Sequence, residues 1–319
     1  MLKYYPEKTE VPFIHQLLLG GVAPRPIALV STISKTGVVN LSPFSFFNTF
    51  SANPPIIAFS PARRGRDATL KDTYLNLIET KQCVINAVTY SMVEQVSLAS
   101  AEYAPEVDEF SKSGLTKVES EFVIPPGVLE SPFRLECELI QMINFGEGGA
   151  AGNLAICEVK LIYVDEDVIE NGKIIPDKID LVARMSGDFY CRASGDSIFE
   201  VVKPVGKKCI GYDQLPGYIK ESKILSANDL AKLANVEKLP QFNKIANEVL
   251  NEKLPLELKD ILILNRFQRQ GNYKKMFEKL KVFYPNETLN SYLDSAASLA
   301  LKNNDIDYAW RILLFRGGL

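Results

Sequence analysis

The chain has 319 residues, 46% hydrophobic, 24% charged and 10% aromatic, with a formal net charge of −3. This is enough apolar material for sizeable cores in one large or two ordinary domains, and it excludes a disordered chain. The single histidine, His15, excludes multi-histidine metal sites, so no metal is expected, and no G-x-S-x-G elbow supplies a nucleophile for a Ser/His/Asp hydrolase.

The N-terminal MLKYYPEKTE lacks the apolar core and cleavage site of a secretory signal, and no stretch approaches the roughly 20 apolar residues of a spanning helix. A cytoplasmic protein with no membrane contact is expected. PIALVSTIS (26–34) is β-branched and continuous enough for a buried strand, and KTG (35–37) turns the chain into VVNLSPFSFFNTF, which reads as a hairpin. PPIIAFS (54–60) is a further strand. After Arg63, Arg64, Gly65 and Arg66, Asp67 is an expected N-cap for a helix through ATLKDTYLNLIETK. CVINAV (83–88), RLECELIQMINF (134–145) and LAICEVKLIYV (154–164) are strands, the last two separated by the loop GEGGAAGN. Many strands with few helices predict a small closed sheet, since closure removes exposed edges. The five cysteines, Cys83, Cys137, Cys157, Cys191 and Cys209, are odd in number and free of CxxC spacing, and are expected to be reduced core residues.

The richest local chemistry lies between Ser60 and Thr73, where Ser60, Arg63, Arg64, Arg66, Lys71 and Thr73 gather around a helix N-terminus. Unpaired N–H groups and the helix dipole favour a phosphate there, with Arg as forked donor and Lys as point charge. On composition alone the same residues also read as a solvated basic turn. Ser45, Phe46, Phe47 and Asn48 offer aromatic surface and an amide for a planar heterocycle, or the alternating faces of an ordinary strand.

Taken in order, GVAPRPIALVST (21–32), NLSPFSFFNTFSANPPIIAFSP (40–61), the Lys71-Asp72-Thr73 triplet, CVINAV and IDLVARMSGDFYC (179–191) resemble the flavin reductase-like proteins, across residues 10–204. The likeness is to the flavoredoxin and ferric reductase branch, and it implies an α+β fold: an FMN-binding split β-barrel with peripheral helices, usually a homodimer. It further implies that Ser45, Phe46, Phe47 and Asn48 lie along the isoalloxazine, and that Ser60, Arg63, Lys71 and Thr73 hold the ribityl chain and phosphate. Arg25 and Thr32 are further cofactor candidates, and Arg184 and Tyr190 would approach the flavin from a second subunit or form a structural pair. Asp72 would orient its neighbours rather than touch an anion.

The activity so implied is an NAD(P)H-dependent flavin or ferric reductase, with free flavin, a ferric complex or a redox protein as acceptor. Alternatives are a flavoredoxin-like electron carrier fed by a partner protein, and a non-redox interaction protein that retains the fold. No G-x-G-x-x-G fingerprint follows a strand, so a nicotinamide nucleotide would bind transiently against the flavin. Hydride transfer requires no side-chain acid or base, and no catalytic residue is assigned.

The character of the chain changes after VVKP (201–204): residues 206–319 carry a charge of +5 and residues 1–205 one of −8. The expected domains are therefore 1–204 and an all-α extension over 205–319. Amphipathic helices are expected at 225–234, 240–250, 254–270, 272–284, 287–304 and 305–317, with Ser226 opening a capping box and Pro255 at an early helical position. The lysines at 274, 275, 279 and 281 are interspersed with acids and read as a solvated face, not as a nucleic-acid site. Trp310 and Phe315 read as core.

Overall fold

Seven strands form one antiparallel sheet in the computed structural model, which describes residues 1–241 and 253–318. They are β1 (Ala28–Ile33), β2 (Val39–Phe44), β3 (Phe47–Ala52), β4 (Pro55–Phe59), β5 (Gln82–Ala87), β6 (Phe133–Asn144) and β7 (Asn153–Val164). Their order in the sheet is β2-β1-β5-β6-β7-β4-β3. The two edge strands, β2 and β3, are consecutive in the chain and separated only by Ser45 and Phe46. The sheet must therefore curl until its edges meet, which makes it a barrel with an unbonded seam at those two residues.

The burial of the strands follows from their sequences. Inward positions two apart, such as Ala28 and Val30, Ile57 and Phe59, Cys83 and Ile85, and Leu135, Cys137 and Leu139, form the barrel core. β1 is buried on both faces, because Leu29 and Ile27 on its outer side pack with Leu41, Val96 and Phe110. This is why its apolar run is continuous. Three of the cysteines, Cys83, Cys137 and Cys157, are buried in the barrel, whereas Cys209 is exposed; all five are free thiols. The expectation of core cysteines fails at Cys191, half-buried in the strand Tyr190–Arg192, and at Cys209, exposed in the coil after the barrel.

Helices α1 (Val11–Gly21), α2 (Asp72–Thr80), α3 (Val93–Leu98), α4 (Glu109–Ser113) and α5 (Pro176–Ile179) surround the strands. A second small sheet joins Arg25–Pro26, Val182–Arg184 and Tyr190–Arg192. The start of α2 needs correction, and one helix was not expected at all. Asp67 does not cap α2: its carboxylate accepts the Thr69 N–H at 3.0 Å and the Thr69 hydroxyl at 2.7 Å, Ala68 takes φ +59°, and the helix starts only at Asp72. A turn bonded within itself cannot also continue as a helix. The unexpected helix is α1, which buries no residue at all, so its sequence shows no apolar/polar contrast to read.

The chain divides into two compact units, Met1–Glu200 and Val201–Leu319. The second holds α6 (Gly217–Lys220), α7 (Ala227–Ala234), α8 (Leu258–Arg269), α9 (Tyr273–Leu280), α10 (Glu287–Lys302) and α11 (Ile306–Gly317). Ser226 and Asp229 form the reciprocal capping box of α7. Trp310 and Phe315 are each 1% exposed, within a core that also takes in Met276, Phe277, Leu293 and Leu313. Pro255 lies outside α8, whose N-cap is Glu257, because Leu254 instead pairs with the backbone of Val282 and Tyr284. The helix expected over 240–250 falls almost wholly outside the described residues. Among the described residues no helix is long and apolar enough to cross a membrane.

Candidate functional site

The loop from Ser60 to Lys71 leaves β4, crosses the end of the barrel and delivers the chain to the first turn of α2. Lys71 occupies the N-cap position with extended backbone, and no side chain caps the helix. The Tyr74 and Leu75 N–H groups both turn back to the Lys71 carbonyl, while the Asp72 and Thr73 N–H groups precede any helical acceptor. The Lys71 ammonium lies 5.3 Å from the centre of the buried Phe44 ring. Burial, and then the charge of Arg64, pull its pKa below the ordinary lysine value. No carboxylate is paired with it among the described residues. An amine that is desolvated and unpaired beside an uncapped helix N-terminus is a strong attractor for an anion.

Arginines frame this turn. Arg63 donates through Nη1 to the Ala68 carbonyl at 2.9 Å, and its Nε is buried with no partner among the described residues. Arg64 donates to the Leu70 carbonyl at 2.7 Å and pairs with Asp72 at 3.4 Å, so the Asp72 carboxylate is engaged with a cation. Arg66 points to Glu102, 2.9 Å away at the surface.

The loop after β6 closes the site from the other side. Arg63 N–H donates to the Ala151 carbonyl at 2.9 Å, and the Asn153 N–H donates to the Ser60 hydroxyl at 3.2 Å. Asn153 is fully buried; its Nδ2 donates to the Pro61 carbonyl at 3.0 Å, and its Oδ1 is a second buried atom without a partner. A Cβ on Gly149 would lie 2.5 Å from the Gly65 carbonyl oxygen, so the two loops touch backbone to backbone. That contact accounts for a glycine at this point of GEGGAAGN.

The Ser45–Asn48 segment straddles the barrel seam. The Phe46 carbonyl accepts the Ser60 N–H at 2.9 Å, which joins the seam to the basic loop. The Phe46 ring is 40% exposed and meets the exposed His15 ring edge-on at 6.2 Å between centroids. The Asn48 Oδ1 accepts the neighbouring Thr49 N–H at 2.8 Å, leaving the amide nitrogen outward on an exposed residue. Phe47 lies half-buried against the barrel core and closes an apolar cavity of about 170 Å³ with Ile27, Ile85, Phe133, Leu135 and Val182.

The sequence candidates therefore divide. Ser60, Arg63 and Lys71 converge on one loop, and Ser45, Phe46, Phe47 and Asn48 border it at the seam. Arg25 is 5% exposed, with Nη1 and Nη2 donating to the carbonyls of Leu19, Val22 and Met185 and Nε donating to the Ser45 hydroxyl at 3.4 Å; it ties the end of α1 to the seam. Its burial, reinforced by Arg184, lowers its pKa. Thr32 and Thr73 are 0% and 1% exposed, and the Thr73 hydroxyl donates to Asn40 Oδ1 at 2.7 Å. Thr73 thus offers an anion its N–H, because its one hydroxyl proton is committed inward. Arg184 stacks on Tyr190 at 4.6 Å, its register partner across the strands. Asn40, Glu109 and Asn153 escape sequence reasoning. The available signal was a polar residue inside an apolar strand, as in Val39-Asn40-Leu41.

A seven-stranded barrel split at its seam, with a cationic helix N-terminus beside it, is the architecture of a flavin-binding class. The chain belongs to the flavin reductase like domain family, whose model matches residues 20–178. An uncharacterized protein of Aquifex aeolicus is 35% identical over 201 residues, covering 63% of this chain and 100% of the relative. Nitrilotriacetate monooxygenase component B from Bacillus cereus is 33% identical with a TM-score of 0.59, over 63% of this chain and 98% of that one. The 2-nitrobenzoate 2-nitroreductase of Pseudomonas fluorescens is 25% identical with a TM-score of 0.57, over 66% and 100%. The helices after residue 200 lie outside the matched domain.

Proposed function

We propose that the protein is a homodimeric, cytoplasmic FMN-dependent oxidoreductase that takes electrons from NAD(P)H and passes them to free flavin or a ferric complex. The observation that carries this reading is Lys71, a desolvated ammonium with no carboxylate partner among the described residues, standing beside the open N–H groups of Asp72 and Thr73. The orphaned Arg63 Nε and Asn153 Oδ1 support the fit: one donor and one acceptor, both buried, on the two loops that Ser60 joins. A phosphate answers the donors and a ribityl hydroxyl the acceptor, so the residues present suit FMN.

Lys71 and the α2 N-terminus would hold the phosphate, with Arg63 and Ser60 bordering the ribityl chain. Ser45, Phe46, Phe47 and Asn48 would line the ring, with the Asn48 amide nitrogen as a donor. Bound FMN would supply hydride acceptance and onward electron transfer. The cations neutralise the dianion, and the apposed loops exclude water from the phosphate end. The apolar surface of α1, with Val11 and Leu18 and the following Val22 exposed by more than half, supports burial against a second copy.

The test is a visible spectrum of the purified protein followed by anaerobic NADH and then NADPH. Flavin bands that bleach rapidly with either nucleotide support the reductase. Bands that yield only to dithionite favour an electron carrier, and failure to bind FMN on reconstitution rejects the flavoprotein reading.

A further inference from the structure

Behind the α2 N-terminus lies a buried chain of polar side chains, none more than 8% exposed. Glu109, in the first turn of α4 and 7% exposed, accepts Asn40 Nδ2–H at 2.8 Å and the Leu41 N–H at 2.9 Å. Asn40 on β2 accepts through Oδ1 the Thr73 hydroxyl at 2.7 Å and the Thr32 hydroxyl at 3.4 Å. Thr32 on β1 in turn accepts Asn76 Nδ2–H at 3.0 Å. Thr73 and Asn76 are three apart on α2, so one face of its N-terminal half is fastened at two points to the barrel.

The order of donors and acceptors has one source. An amide presents similar shapes in its two orientations, and only its partners decide which end faces where. A carboxylate is acceptor-only, so Glu109 fixes the Asn40 amide with Nδ2 toward itself and Oδ1 toward Thr73. That orientation commits the Thr73 hydroxyl proton inward and sets the rotation of a helix that has no side-chain cap of its own. We infer that Glu109, acting through Asn40, is the positioning residue that sets the first turn of α2 for the phosphate group. The inference rests on the phosphate reading given above.

The experiment compares FMN with riboflavin, which lacks the phosphate, by titrating flavin fluorescence on wild type, Glu109→Gln and Thr32→Val apoprotein. In Glu109→Gln the side chain can donate, the amide is released to turn over, and the Leu41 N–H can lose its acceptor. The expected result is an FMN dissociation constant raised roughly five- to tenfold, the worth of one well-placed hydrogen bond, with riboflavin affinity unchanged. Thr32→Val, near-isosteric and fully buried, should shift the FMN to riboflavin ratio in the same direction and keeps the test open if Glu109→Gln does not fold. A wild type that discriminates between the flavins while both variants discriminate as strongly overturns the inference alone. Parallel weakening for both flavins does so as well, since it reports damage to the fold. A wild type with equal affinity for the two flavins overturns the phosphate reading, and the inference with it.

Discussion

Lys71 and Phe44 form a pair in which the ammonium stands 5.3 Å from the ring centre, and the ring is itself buried in the barrel wall. An aromatic face offsets part of the cost of desolvating the amine but does not neutralise it. The charge is therefore held ready for a ligand.

Replacing Lys71 by Met should raise the FMN dissociation constant by about 10- to 100-fold, the scale of a charge-assisted hydrogen bond, and leave the melting temperature of the apoprotein equal or higher. Unaltered FMN affinity would remove Lys71 from the site. The folded pKa lies below that of the unfolded chain, so apoprotein stability should rise as pH climbs between the folded value and about 10.5. A bound phosphate reverses the depression. FMN binding in that window should take up protons, as calorimetry in buffers of different ionisation enthalpy would reveal.

Gly149→Ala should separate the two loops, because the added methyl would meet the Gly65 carbonyl at 2.5 Å and neither partner is a flexible side chain. A destabilisation of about 1–3 kcal/mol, typical of overpacking, together with weaker FMN binding is expected from denaturant unfolding and flavin titration. A variant with wild-type stability and affinity would mean that the loops move apart freely.

Two buried carboxylates should respond to pH in opposite senses. Burial is the largest influence on Glu109 and raises its pKa above the usual 4.5 against the bonds from Leu41 and Asn40. Burial also opposes ionisation of Glu136, yet the N–H groups of Glu121, Phe122 and Val123 with the Tyr163 hydroxyl hold its pKa below that value. Tyr163 is correspondingly pushed up to about 12 by burial and by the carboxylate. As pH falls from neutral toward 4.5, wild type should gain stability relative to Glu109→Gln, because protonation relieves the buried charge. Below 4.5, wild type should lose its advantage over Glu136→Gln as that carboxylate is forced to protonate. Unfolding curves across pH 3–8 test both slopes; parallel curves would refute the assignment.

Truncation after Glu200 should leave a folded, FMN-binding barrel. The barrel core and the helical core share no residue, and the site is built wholly from residues before 200. Flavin retention and a cooperative melt by the truncated chain are the expected results; an insoluble or flavin-free product would show that the helical unit completes the fold.

The strands were legible because their inward residues alternate and their β-branched runs are long: β1, β5, β6 and β7 lie within a residue or two of their expected bounds at each end. The start of α2 was not legible. Asp67 is as good a cap as Lys71 is a poor one, and what decides between them is Ala68 at positive φ and a turn bonded to Thr69. The same limit applies at the site. Lys71, Arg63 and Ser60 carry chemistry on their faces, whereas the inward turn of Thr73 depends on Asn40 and Glu109, which lie 33 and 36 residues away in sequence. No local pattern encodes which way a hydroxyl proton points.

The bond from Asn153 to Ser60 joins residues 93 apart, at the place where β4 docks on β7, the last barrel strand to be synthesised. The hairpin of β3 and β4 has no sheet neighbour other than β7, so it cannot join the β2-β1-β5-β6 strands until that closing strand exists. On a ribosome the apposition of the Ser60–Lys71 loop with the loop that leads into β7 therefore comes into being only once that strand has emerged. If the site holds FMN as proposed, its loading is a late event of biosynthesis, and a bound flavin records that the sheet has closed.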